Sequence, residues 1–145
     1  MKSRGLRNNN PLNIRRTGVD TWKGMSTSQT DELFLQFESM VMGYRAAAVL
    51  IRNYDIMYGI NTVSAIISRW APSSENNTLA YIRRVCHLTE FAPDHLIHAG
   101  HKSYNHDLCR LLLAMASVEC ATDLMLNALH RSYVSAAADM ICFAK

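Results

Sequence analysis

The sequence predicts an α+β protein that is mostly helical, and three observations carry that expectation. Apolar side chains recur at three- and four-residue steps from Met40 onward, they alternate over part of residues 12–37, and turn-forming residues separate the segments. With 145 residues, 49% of them apolar and 19% charged, the chain has the balance of a folded protein and not of a disordered one. A chain of this size buries roughly two-thirds of its unfolded surface, so residues 1–145 are read as one domain. Its two parts are a small hairpin region over about 12–37 and a helical region over about 40–143.

The elements follow in order. Residues 12–37 read as short strands: "LNIRR", a turn at Thr17-Gly18-Val19-Asp20, then Trp22, the polar "STSQTD" link and "LFLQF", in which Leu33, Leu35 and Phe37 alternate with Phe34 and Gln36. A helix over about 40–58 follows from Tyr44, Ala47, Ala48, Ile51 and Tyr54, and Gly59 ends it. Asn61 or Thr62 caps the next, which aligns Val63, Ile66, Ile67 and Trp70. Pro72 breaks the chain. Ser73 or Ser74 then caps a helix with Glu75 in its first turn, burying Leu79, Ile82 and Cys86. Residues 89–104, with Pro93 and Gly100, read as a loop or a short helix in a loop. "NHDLCRLLLAMASVECA" is the most apolar helix, capped by Asn105, and a last helix over about 122–143 bends near Ser132.

The net charge is only +3, yet Lys2, Arg4, Arg7, Arg15, Arg16 and Lys23 precede residue 25 against one acid, Asp20. Such an edge suits an anionic partner or is simply solvated. Nucleic-acid binding has no recognised motif behind it. Cys86, Cys109, Cys120 and Cys142 are too widely spaced for a metal or redox pair and read as buried, reduced thiols. No signal-peptide pattern opens the sequence and no apolar run is long enough to span a bilayer, so the expectation is a soluble protein made in the cytoplasm. His95, His98 and His101 lack the spacing of a helical metal site, and nothing else in the sequence points to a metal or cofactor.

On the most apolar helix, steps of about 100° place Leu108, Leu112, Met115 and Glu119 in one narrow sector. A carboxylate continuing a core-facing stripe is desolvated, which raises its pKa toward that of a general acid. If the helix ends a turn earlier, Glu119 leans into solvent or pairs with an arginine. Asp31 and Glu32 enter the "LFLQF" strand on opposite faces, so at most one of them assists. Glu75 has a structural role available at its helix start. Asn8, Asn9, Asn10 and Asn13, with Trp22, Trp70 and Tyr81, are the residue types that bind sugars: amides read hydroxyl and N-acetyl groups, and flat rings stack on pyranose faces. Asparagines before proline also form turns, and Trp70 at helical spacing also suits a core.

"RGLRNNNPLNIRR", "WKG", "DELFLQFESMVMGYRA" and "RWAPSSENNTLAYIRRV" resemble the pattern R-G-x-R-N-N-N-P-G-N-I, W-x-G, D-x-x-F-x-x-F-x-S-x-x-x-G-x-R-A, W-A-P-x-x-E-N-N-T-x-x-Y-I. That pattern belongs to phage- and prophage-encoded proteins of the lysozyme-like superfamily, endolysins and virion structural proteins among them. A more distant similarity is to bacterial peptidoglycan glucosaminidases, whose acid helix ends in Glu-Ser-Gly ahead of a W-x-G hairpin. The helix end at Glu119 resembles that acid helix with the order circularly permuted. Two departures stand out: Pro11-Leu12 replaces Pro-Gly, and Cys120-Ala121 follows the acid in place of Asn-Gly.

The resemblance implies a lysozyme-like fold and an enzyme that cleaves the glycan strands of peptidoglycan, as a muramidase, glucosaminidase or lytic transglycosylase. Glu119 is then the general acid, Asp31 the supporting carboxylate with Glu75 behind it, and Asn9, Asn10, Asn13, Trp22, Trp70 and Tyr81 bind substrate. It equally implies an alternative, a catalytically inactive phage structural or wall-binding protein. Either would act at the cell wall or in a phage particle after delivery by another route. Oligomeric state is open.

Overall fold

A computed structural model describes residues 2–142, with the side chain of Cys142 outside the described set. Six helices are described: α1 (Arg4–Arg7), α2 (Met40–Tyr58), α3 (Val63–Trp70), α4 (Thr78–Thr89), α5 (Tyr104–Glu119) and α6 (Ala128–Cys142). The protein is mostly helical, as its periodicity predicts.

α5 is the axis of the structure. Leu108, Leu111, Leu112, Leu113, Ala114, Met115 and Ala116 are all buried, so nearly every face of its central turns is covered, by α4 on one side and α6 on the other. A helix apolar all round belongs in that position. α2 packs chiefly on α6 and also on α5. Its stripe of Ala46, Ala47 and Ala48 lets the helices approach closely, and a Tyr44 hydroxyl–His130 Nδ1 bond of 2.7 Å ties α2 to α6 within the core.

The helix ends follow local chemistry. Ser39 Oγ accepts from the Met42 amide to start α2, and Gly59 closes it at φ 67°, with the Gly59 and Ile60 amides donating to the Asp55 and Tyr54 carbonyls. Of the two caps expected for α3, Thr62 serves, accepting from the Ala65 amide. α4 differs from expectation. Its cap is Asn77, not Ser73 or Ser74, so Glu75 lies in the preceding turn and not in the helix. The buried face carries Tyr81, Val85 and Thr89, with Ile82 and Cys86 partly buried against the core as expected, while Leu79 is exposed. α5 begins one residue ahead of Asn105, after Ser103. α6 begins only at Ala128, where Asn127 Oδ1 accepts from the His130 amide, and runs through Ser132 unbroken; residue 143 lies outside the described residues.

The region 12–37 forms short extended segments in place of a regular hairpin ladder, with isolated antiparallel bridges at Arg15–Phe34 and Met25–Phe37. Side-chain amides take backbone groups that a ladder would use. Asn10 donates to the Ile14 and Leu35 carbonyls and accepts from the Ile14 amide, acting as a rung in its own right. Gln29 and Gln36 do the same across the polar link.

The turn expected of asparagines before proline is present, preceded by a short helix that the sequence did not predict. α1 leads into a loop in which Asn9 and Asn13 adopt positive φ, 52° and 53°, a region asparagine enters more readily than most residues. Gly43 of α2 abuts this loop. A β-carbon there would run into the Asn9 carbonyl and lie 2.9 Å from Pro11, so glycine is what lets α2 seat the asparagine loop. The loop 89–104 is fastened by two buried acids: Asp55 accepts from the Ala99 amide, Asn61 and His98, and Asp107 contacts His95, Ser103 and His106.

Candidate active site

Glu119 is the last residue of α5 and is half-buried. Its carboxylate is held from both sides: the Tyr81 hydroxyl donates to Oε2 at 2.9 Å and the Asn13 amide donates to Oε1 at 3.1 Å. Burial pushes its pKa above the ordinary glutamate value, against the opposing pull of Asn13, Tyr81 and the Arg15 charge. The negative end of the α5 dipole acts in the same direction as burial.

Each holder comes from a different element. Tyr81 lies on the buried face of α4, and its own pKa rises through burial and through the neighbouring carboxylate. Asn13 arrives from the asparagine loop. That approach depends on Gly5, where a β-carbon would lie 2.9 Å from both Asn13 Oδ1 and the Asn10 carbonyl. Cys120 anchors the same corner, its buried thiol donating to the Pro11 carbonyl at 3.3 Å. The residues R-G-x-R-N-N-N-P-x-N thus fold into a brace whose far end touches the acid.

In front of Glu119 opens a cleft of about 320 Å³, lined by Asn13, Arg15, Tyr54, Trp70, Glu75 and Asn76 among others. Trp70 meets Tyr54 edge to face at 6.4 Å, so part of the cleft lining is aromatic. Ile14, Arg15 and Leu50 are shared with a neighbouring cavity of about 530 Å³ that contains Trp22, so the two hollows adjoin.

The structure therefore brings Glu119, Glu75, Asn13 and Trp70 around one cleft, with Tyr81 behind the acid and Trp22 in the adjoining hollow. Tyr81 is buried and holds the carboxylate instead of offering a stacking face. Asn10 is 0% exposed, which leaves it no surface for substrate, and Asn9 lies at a different hollow, with its amide on the Phe37 carbonyl. Asp31 is not in the cleft lining. Arg4 grips it through two bonds of 2.7 Å, and Asn8 and the Leu33 and Phe34 amides also donate to it. The Arg4 guanidinium, first among these donors, holds the Asp31 carboxyl well below the usual carboxylate range. A carboxylate so fully engaged organises the loop and has no lone pair to spare for a sugar.

Arg15, Tyr54 and Asn76 of the cleft were missed from the sequence. Arg15 had a signal: in an extended segment residues 13 and 15 share a face while Ile14 turns inward. Tyr54 and Asn76 had none short of the fold. Among the described residues no group of three or more His, Cys, Asp and Glu side chains is arranged to hold a metal, and no helix is long and apolar enough to cross a membrane. Cys86, Cys109 and Cys120 are thiols, and only Cys120 is fully buried.

No family model matches the chain. Protein P5 of Pseudoalteromonas phage PM2 is 44% identical to it over 89 residues, 60% of this chain. The sequence is related to a phage protein. The matched stretch spans 56% of that relative's length.

Proposed function

We propose that the protein is a lysozyme-like enzyme that cleaves the β-1,4-linked glycan strands of peptidoglycan, with Glu119 as general acid. One observation carries this reading: a half-buried carboxyl group of raised pKa ends a core helix in the lining of a cleft that an amide, Asn13, and a tryptophan, Trp70, also line. In the reaction Glu119 gives its proton to the departing glycosidic oxygen as the bond from the sugar's anomeric carbon to that oxygen breaks, the bonding pair staying on the oxygen. The conjugate base that forms receives the Tyr81 and Asn13 donors on its two oxygens, so the charge that develops is met by dipoles already in place. Glu75 takes the part first given to Asp31 and accepts a proton from the attacking water. The fold is then the lysozyme-like one, with the acid helix placed after the hairpin region in the chain.

The kinship with a phage protein also favours a second reading, a particle component that binds the wall without cutting it. Zymography on peptidoglycan separates the two. Clearing by the wild type and none by Glu119→Gln supports the enzyme. Equal clearing by both removes Glu119 from the mechanism, and retained wall binding without clearing by either supports the structural reading. New reducing ends among the fragments indicate hydrolysis; 1,6-anhydro ends indicate attack by the sugar's own hydroxyl.

A further inference from the structure

Three arginines gather on the Phe34 side of the asparagine loop, and two of them are engaged. Arg4 lies 4.8 Å over the Phe34 ring with its guanidinium paired to Asp31, and Arg16 donates to the Asp31 carbonyl at 2.7 Å. Arg15 is different. Its backbone is fixed by the bridge to Phe34 and its guanidinium carbon sits 5.8 Å from the same ring, yet among the described residues the guanidinium forms no hydrogen bond or ion pair and acts on Glu119 through charge alone. It is exposed and lines both the Glu119 cleft and the Trp22 hollow, so it stands where the two adjoin.

The one acid in the Trp22 hollow does not compete for it. Asp20 turns its oxygens onto the Thr17 amide, the Thr17 hydroxyl and the Gly18 amide. A guanidinium with all its donors available and its base steadied by an aromatic ring is suited to a carboxylate, which it engages through two parallel N–H bonds. A chain of N-acetylglucosamine carries no such group, and in a peptide-bearing wall strand the lactyl carboxyl of each muramic acid is taken up in the amide bond to its stem. The peptide stem attached to alternate sugars of a wall glycan carries several.

We propose that Arg15 binds a carboxylate of the peptide stem, so that the cleft and the Trp22 hollow together select glycan strands that carry peptides over strands that do not. The proposal rests on the reading of the cleft as a glycan site. On that reading the strand lies along the Glu119 cleft and the stem leaves it beside Arg15 toward Trp22.

The test uses soluble, uncross-linked peptidoglycan strands and the same strands stripped of their stems by an amidase, with the lactyl carboxyl that this exposes on each muramic acid capped as its methylamide. Binding of Glu119→Gln protein is measured by fluorescence anisotropy with Arg15 intact, with Arg15→Gln and with Arg15→Lys, and initial cleavage rates are compared on the protein with Glu119 in place. The expected result is a preference of about tenfold for peptide-bearing strands, weakened by salt, lost in Arg15→Gln and partly kept in Arg15→Lys. No preference with Arg15 intact, or an equal preference in Arg15→Gln, overturns the proposal while leaving the glycan reading standing. Failure to bind or cleave either strand overturns both.

Discussion

Asn13 and Glu119, separated by 106 residues, meet through an amide-to-carboxylate bond of 3.1 Å. This contact joins the N-terminal brace to the end of the core helix and makes the acid's position depend on the asparagine loop. Asn13→Gly isolates the amide, because glycine accepts the positive φ that asparagine holds here. Loss of a donor to the charged form raises the Glu119 pKa further. A general acid works only while protonated, so the alkaline limb of the pH–rate profile moves to higher pH, and the looser acid lowers the maximal rate by about ten- to a hundredfold. A pH series of turbidity-clearing rates checks both effects.

Asp31 bears on stability instead of catalysis. Its carboxyl is held below the ordinary aspartate value, so its ionisation stabilises the fold above the unfolded-state pKa of about 3.9, and that contribution is lost as pH falls through the lower folded value. Asp31→Asn should lower the thermal midpoint near neutral pH, and the gap to wild type should close as the pH drops below about 4. Thermal unfolding followed by circular dichroism from pH 7 down to pH 2 reads the difference. A gap that persists unchanged to the lowest pH would contradict the assignment.

Gly43→Ala tests the seating of the loop on α2. The added carbon collides with the Asn9 carbonyl, a backbone group that cannot step aside without moving the whole brace. Overpacking of this kind costs about 1–3 kcal/mol, and the displaced brace withdraws Asn13 from the acid. Chemical denaturation checks the stability loss. A rate that falls even where the variant is fully folded checks the coupling.

What was legible in the sequence is what local chemistry decides. Gly59 as a stop, a cap at Asn61 or Thr62, of which Thr62 serves, and the stripe that carries Glu119 to the end of α5 all follow from spacing and residue type. The asparagines were read as one group that binds substrate, with nothing to tell one amide's part from another's. Only tertiary pairing shows that Asn10 substitutes for a strand rung while Asn13, three residues on, reaches the acid. Asp31 misled for the same reason: the arginine that engages it lies 27 residues earlier, and no local pattern couples the two. Glu75 was noted for a helix that in fact begins after it, which is how its side chain comes to line the cleft.

The central claim is that the fold keeps a proton on Glu119 at a pH where an ordinary glutamate has lost it, and a carbon-13 NMR titration of that carboxyl measures this directly. The account predicts a midpoint above about 4.3, moving higher in Tyr81→Phe as one donor to the charged form is removed. A midpoint at or below the ordinary value, or one indifferent to Tyr81, would contradict it.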